Sequence, residues 1–196
     1  MNEHMARLVA RIAALEAELE AEIAKRRADL RFGLERGRVV FEEEVLRRHR
    51  ELKTSLFHYI LNAHILIALT APVIYGLIVP LLLLDLSVTL YQAICFPAYG
   101  IEKVRRKDYF IFDRRHLAYL NTLEKLNCAY CSYANGLIAY VREIAGRTEQ
   151  YWCPIKHARR AIAAHEFYRN FADYGDADAY RSRLAAASMP EGRKGE

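Results

Sequence analysis

The feature that most constrains this chain is the long stretch between Lys53 and Glu102, which contains a single formal charge, Asp85. The flanking segments hold all the rest of the 29 basic and 24 acidic side chains. As a helix the stretch would extend about 72 Å, whereas one crossing of a ~30 Å hydrocarbon core needs only ~20 residues. It therefore predicts two transmembrane helices, at about 55–74 and 78–98, with a turn near Pro72 or in the segment 76–80. A single kinked helix or a re-entrant pair is the alternative.

Basic residues flank the uncharged stretch on both sides. Arg47, Arg48, Arg50 and Lys53 precede it, and Lys103, Arg105, Arg106 and Lys107 follow it. The positive-inside rule places both flanks in the cytoplasm, which requires an even number of crossings. We therefore expect an integral membrane protein of the bacterial inner-membrane type with both termini cytoplasmic. The competing interpretation is a buried helix pair in the core of a soluble protein.

Three ionisable side chains inside the stretch are candidates for an intramembrane polar site. Asp85 is costly near the centre of a bilayer, so it is expected to face a partner or water. His58 and His64 could supply that partner, in a proton, metal or quinone pocket. The simpler alternative is that Asp85 pairs across the hairpin or with another subunit, while His58 lies in the headgroup zone.

The segment 1–53 reads as an amphipathic helical arm. An apolar seam recurs at helical spacing through Leu8, Ile12, Leu15, Leu19, Ile23 and Leu30. Such a narrow seam predicts a partner helix, in a partner protein, in a second copy of the chain or on the cytoplasmic domain. Gly33 and Gly37 weaken the helix, and the sequence RVVF after them has strand-like character.

The charge balance excludes a nucleic-acid partner and favours lipid. Residues 1–53 carry 12 bases against 11 acids, which is typical of a solvated helix face rather than a surface that follows phosphates. Residues 102–196 carry 17 bases against 12 acids, and much of this excess adjoins the uncharged stretch. Anionic lipid headgroups are the simplest partner for it.

A cysteine and histidine cluster follows the uncharged stretch. Cys128 and Cys131 form a Cys-x2-Cys pair, and Cys153 and His157 form a Cys-x3-His pair further along the chain. Thiolates with one imidazole suit tetrahedral Zn²⁺, so we predict a Cys3His metal site that joins two helices, near 128–145 and 154–172. Iron or an iron–sulfur cluster, a thiol redox pair, and ordinary thiols are the alternatives.

Three more side chains could support that metal site from outside its ligand set. Asp113 and His116 lie three residues apart, and His165 lies eight residues beyond His157. They could orient the ligands or bind another ion. A surface or helix-start role is the simpler interpretation.

Together these patterns predict an all-α membrane protein in four parts. They are a helical arm over 1–53, a transmembrane hairpin over 54–101, a helical domain with the metal site over 102–172, and a disordered tail over 173–196. The predicted function is non-enzymatic: a membrane-anchored, zinc-binding scaffold, assembly or regulatory protein that acts through its cytoplasmic helical surfaces. The alternative is a membrane-bound oxidoreductase or electron-transfer protein that uses the Cys/His cluster, which would give a coloured protein or a titratable disulfide.

Overall fold

The computed structural model describes residues 3–29, 32–35, 38–56, 65–162 and 164–188. The described chain is mostly helical, which confirms the predicted all-α class. It separates into two compact units, one made of Met1–Asn62 with Asp113–Leu126 and the other of Ala63–Phe112 with Asn127–Glu196.

The first unit contains the N-terminal arm. Helix α1 covers Glu3–Asp29 and is followed by strands β1, Phe32–Glu35, and β2, Arg38–Phe41, and then by helix α2, Glu43–Glu51. The strands pair antiparallel with Phe32 opposite Phe41, so the strand-like character of RVVF is confirmed. The His49 ring packs edge-on against Phe41 and Tyr119, with ring centroids 5.1 and 5.0 Å away.

The uncharged stretch forms an almost unbroken helix in the second unit. Helix α3 covers Ile65–Gly76 and helix α4 covers Ile78–Tyr99. Leu77 between them keeps a right-handed helical conformation, and its carbonyl accepts a hydrogen bond from the Leu81 N–H at 3.2 Å. The helix ends at Gly100, whose φ of 69° is the left-handed conformation that glycine adopts at low cost.

The predicted transmembrane hairpin is not confirmed. No chain reversal occurs near Pro72 or within 76–80, because a helical Leu77 lets the helix continue through the predicted turn. Among the described residues one helix, Ala68–Tyr99, is long and apolar enough to cross a membrane. Part of the predicted first crossing, including His58 and His64, lies outside the described residues.

A second long helix, α5, covers Thr122–Trp152. It begins with a capping box, in which the Asn121 side chain accepts the Glu124 N–H at 3.0 Å and the Glu124 carboxylate accepts the Asn121 N–H at 2.8 Å. It ends before Pro154, which lacks the N–H that a continuing helix needs. The predicted helix near 128–145 is therefore the central part of a longer one.

Within the described residues, the predicted helix near 154–172 is absent. The Pro154 carbonyl accepts the Ala172 N–H, and the Lys156 N–H donates to the Ala172 carbonyl, both at 2.8 Å. Because this pairing uses backbone groups that a helix would bond internally, the segment closes into a loop. Its described part contains only a short 3-10 helix, Glu166–Asn170.

The core of the second unit lies where α4 and α5 meet the segment 101–112, which we call the strap. Its buried side chains are Phe96, Val104, Leu137, Tyr140 and Ile144. The strap holds a 3-10 turn, Arg106–Asp108, and a second such turn, Asp113–His116, follows it.

The C-terminal segment differs from the predicted disordered tail. Residues Ala177–Ser188 form helix α6. Its first turn is capped by Asp176, whose carboxylate accepts the Ala179 N–H at 2.9 Å, and the alanines that follow favour helix. Residues 189–196 lie outside the described residues.

Candidate functional site: a polar network beside the apolar helix

The one charged residue of the apolar helix is buried and fully paired. We call its surroundings the Asp85 network: Asp85 and Thr89 of α4, Arg106 of the strap and Tyr133 of α5. Both terminal nitrogens of Arg106 bond the two Asp85 carboxylate oxygens, with Nη2 to Oδ2 at 2.6 Å. The Tyr133 hydroxyl donates to Oδ2 at 2.8 Å, and the Thr89 hydroxyl donates to Oδ1 at 3.3 Å. One carboxylate thus joins three segments of the chain.

Aromatic rings hold the guanidinium of Arg106 in place. Its Cζ lies 4.0 Å from the centroid of the Phe110 ring and 5.9 Å from that of Tyr140, which are cation–π distances. The hydrogen bonds to Asp85 raise the pKa of Arg106 above its usual value. Burial, and next the bond to Asp85, raise the pKa of Tyr133, so this phenol stays a hydrogen-bond donor.

A second buried contact fixes the strap further along α4. Gln92 follows Asp85 by two helical turns and lies on the same face of the helix. Its Nε2 donates to the Tyr140 hydroxyl at 2.7 Å, and its Oε1 accepts the Val104 N–H at 2.6 Å. Without the bond to Gln92, the buried Val104 N–H would lose its hydrogen-bond partner, which would lower the stability of the fold.

The Asp85 network has a structural role, because its hydrogen bonds hold the strap against α4 and α5. We call this arrangement the clasp. The Asp85 carboxylate already accepts four hydrogen bonds, two of them from a guanidinium, and this fills the capacity of its two oxygens. The simpler sequence interpretation places the partner of Asp85 across the hairpin or on another subunit, and this geometry differs from it. The partner is Arg106 of the same chain.

The four predicted metal ligands are not brought together. Cys128 and Cys131 lie near the start of α5, whereas Cys153 directly follows its end and His157 lies beyond it. The segment from Cys131 to Cys153 extends about 33 Å along a continuous helix. A single Cys3His site is therefore not formed within one chain, and the described residues contain no group of three or more His, Cys, Asp or Glu placed to hold an ion.

We expect metal removal to leave the fold unchanged, because the residues at the two ends of α5 do not meet around one ion. In a thermal melt of the purified protein, EDTA and Cys128→Ser should each shift Tm by no more than about 1 °C, which corresponds to a few tenths of a kcal/mol. Near-stoichiometric zinc or iron by elemental analysis, together with a fall of several degrees in EDTA, would contradict this expectation and restore the metal-stapled domain.

The residues predicted to support the metal site have other partners or lie elsewhere. His165 Nε2 lies 2.8 Å from Glu149 Oε2, so this ring pairs with α5. His157 stacks on Tyr168, whose hydroxyl accepts the His157 N–H at 2.6 Å. Asp113 and His116 belong to the 3-10 turn after the strap. Burial, and then the nearby Glu149, raise the pKa of Cys153, which disfavours a reactive thiolate there.

Sequence reasoning missed the partners of Asp85. It used Arg106 only as an orientation signal, and it gave Tyr133 no role. One signal was present: the lone acid of the stretch needs a countercharge, and the nearest bases in sequence lie at 103–107. Gln92, at helical spacing from Asp85, marked the same inward face.

Comparison with known proteins does not assign the chain to a family. No family model, no curated protein and no solved structure matches the chain.

Proposed function

We propose that this protein is a membrane-anchored scaffold, in which the apolar helix attaches a helical platform to the bilayer and α1 recruits a protein partner or a second copy. The observation that carries the proposal is the pair of uncovered apolar surfaces on the described chain. One is on α4, where Leu83, Leu86 and Leu90 are 57–68% exposed. The other is the seam on α1.

The surface on α4 supports attachment to lipid. A contiguous apolar surface along a helix is unfavourable in water and marks an interaction site. It belongs to the one described helix with the length and composition of a membrane segment. The basic flanks before and after the stretch would then meet anionic headgroups from the cytoplasmic side, as at a bacterial inner membrane.

The seam on α1 supports recruitment of a protein. Leu8, Ile12, Leu15 and Leu19 are 47–60% exposed, so the face predicted to need a partner helix is uncovered in the described structure. Charged residues cover much of the rest of this helix, which suits pairing with a second amphipathic helix better than insertion into lipid. The zinc site and the oxidoreductase alternative are not part of the proposal, since both depend on the Cys/His cluster.

The scaffold role predicts that the seam is needed for association but not for attachment. Leu15→Lys with Leu19→Lys should abolish chemical crosslinking of α1 to its partner, or to a second copy, in isolated membranes. The protein should still resist extraction by carbonate, because α4 is unchanged.

The matched control is Ala17→Lys with Ala21→Lys, two exposed residues on the opposite side of α1. It adds the same charge and should keep the crosslinks. Equal crosslinking by all three proteins would contradict the recruiting role of the seam, and recovery of the native protein in the carbonate supernatant would contradict membrane attachment.

A further inference from the structure

Helix α4 has two unlike faces along its whole length. The inner face carries Leu81, Asp85, Val88, Gln92 and Phe96, which are buried or half-buried at intervals of three and four. The outer face carries Val79, Leu82, Leu83, Leu86, Leu90 and Ile94, all 53–68% exposed. The outer face has no charge, and the Ser87 hydroxyl on it donates to the Leu83 carbonyl at 2.7 Å. The inner face, in contrast, holds the Asp85 network.

Helix α5 runs beside α3 and α4 in the same direction. At one end the Tyr130 hydroxyl donates to the Ile74 carbonyl at 2.7 Å. In the middle Tyr133 reaches Asp85, and at the far end Tyr151 stacks on Tyr99 with ring centroids 5.3 Å apart. The two helices therefore lie side by side from residue 74 to residue 99, over about 37 Å.

Charged side chains accompany the second half of the apolar helix. Beside Asp85 the strap presents an exposed ion pair, Arg105 with Asp108 at 3.0 Å. If α4 stood upright with Asp85 near the bilayer centre, this pair would lie at hydrocarbon depth, where charged side chains are strongly unfavourable.

The first half of the apolar helix has the same difficulty. Ile65–Leu84, which extends about 30 Å, is long enough to cross. Tyr75, near its midpoint, is hydrogen-bonded to Asn127 of α5. Asn127 follows Lys125 by only two residues in the same helix, so an upright crossing would carry polar groups of α5 into the membrane.

A helix that lies flat in one leaflet removes the conflict. We propose that α3 and α4 lie in the membrane plane with the outer face toward the acyl chains of one leaflet, while α5 and the strap stay on the aqueous side. The exposed bases Lys103, Arg105 and Lys107 of the strap then meet anionic headgroups. This inference rests on the proposed membrane attachment and specifies its geometry.

The experiment measures depth along the outer face. In the full chain, Cys95, Cys128, Cys131 and Cys153 are replaced by Ser, with native helix content checked by circular dichroism. Single spin-labelled cysteines are placed at Val79, Leu83, Leu86, Leu90 and Ile94, in phosphatidylcholine vesicles that contain phosphatidylglycerol as the anionic lipid. Collision rates with oxygen and with a polar nickel reagent give the depth of each label, and Val88 on the inner face is the control.

We expect one shallow depth, about 5–10 Å below the phosphates, for all five outer labels. The Val88 label should be little accessible to either reagent. A depth that changes by about 1.5 Å per residue, or about 22 Å from Val79 to Ile94, overturns the flat geometry while leaving membrane attachment intact. Outer labels that show no membrane depth but broaden one another magnetically would show that a second copy covers the face, which overturns both proposals.

Discussion

Replacing Asp85 by Asn is expected to lower the free energy of unfolding by about 2–3 kcal/mol. The change leaves the shape of the side chain almost unaltered but removes the charge that pairs with Arg106. Breaking a buried ion pair from one side costs roughly 3–5 kcal/mol. A lower figure applies here because the Arg106 side chain is 44% exposed and can regain water. Thermal or denaturant unfolding in detergent, followed by circular dichroism, measures the change.

A double-mutant cycle with Arg106→Met separates the ion pair from the other contacts of Arg106. Arg106→Met also removes the cation–π contact with Phe110, so its own cost includes that loss. The pair itself appears as a coupling energy of about 1–2 kcal/mol between the two substitutions. Ser87→Ala on the same helix is the control, because its hydroxyl bonds the Leu83 carbonyl one turn earlier and lies away from the Asp85 network. Additive costs in the cycle would contradict the clasp.

Proteolysis gives a second measure of the same prediction. If the pair holds the strap, Asp85→Asn should speed trypsin cleavage after Lys103, Arg105 or Lys107 more than Ser87→Ala does. An unchanged cleavage rate alongside a lower stability would place the effect elsewhere in the helix.

The sequence predicts the apolar helix well because composition alone identifies it. The turn within that helix is predicted from Pro72 and from the segment 76–80, which contains Gly76 and Pro80. Proline is tolerated in apolar helices when neighbouring groups satisfy the freed carbonyls. Here Leu77 stays helical and no reversal follows. The positions of the prolines alone do not distinguish a kink in a continuous helix from a reversal of the chain.

The ligands of the predicted metal site stay apart for a related reason. Two close pairs of ligands form one site only if the chain folds back between them. The segment between Cys131 and Cys153 contains Asn135 and two glycines, which could have ended a helix. It remains helical, and its glycines pack closely: a Cβ on Gly146 would lie 3.0 Å from the His165 ring. Tertiary packing, which the sequence does not display, decided the outcome.

The largest effect of a single added methyl group is expected at Gly136. A Cβ at this position would lie 2.7 Å from the Tyr109 carbonyl oxygen and 3.3 Å from the Phe110 Cα. Both atoms belong to the backbone of the strap, so no side-chain rotation can relieve the contact. Gly136→Ala must therefore push the strap away from α5, at about 2–3 kcal/mol of stability, within the range known for overpacked cores.

Gly76→Ala is the matched control for this prediction. Gly76 ends α3, and a Cβ there would meet no atom within 4 Å. Because alanine favours helix, this substitution should be neutral or should stabilise the protein by up to about 1 kcal/mol. The stability effects of the two variants thus differ by at least about 2 kcal/mol although the chemical change is the same. Equal melting temperatures for both would contradict the close approach of strap and α5.

The displacement in Gly136→Ala should also reach the Asp85 network, since Phe110 and Arg106 move with the strap. The cost of Asp85→Asn should therefore be smaller in the Gly136→Ala background than in the native protein. In the Gly76→Ala background it should be unchanged at about 2–3 kcal/mol, because a Cβ on that glycine would meet no atom of the strap. Equal costs in the two backgrounds would mean that glycine packing and the ion pair hold the strap independently. A smaller cost of Asp85→Asn in the Gly136→Ala background would show that the close approach of the strap to α5 at Gly136 positions the ion pair of Asp85, the only charged group of the apolar helix.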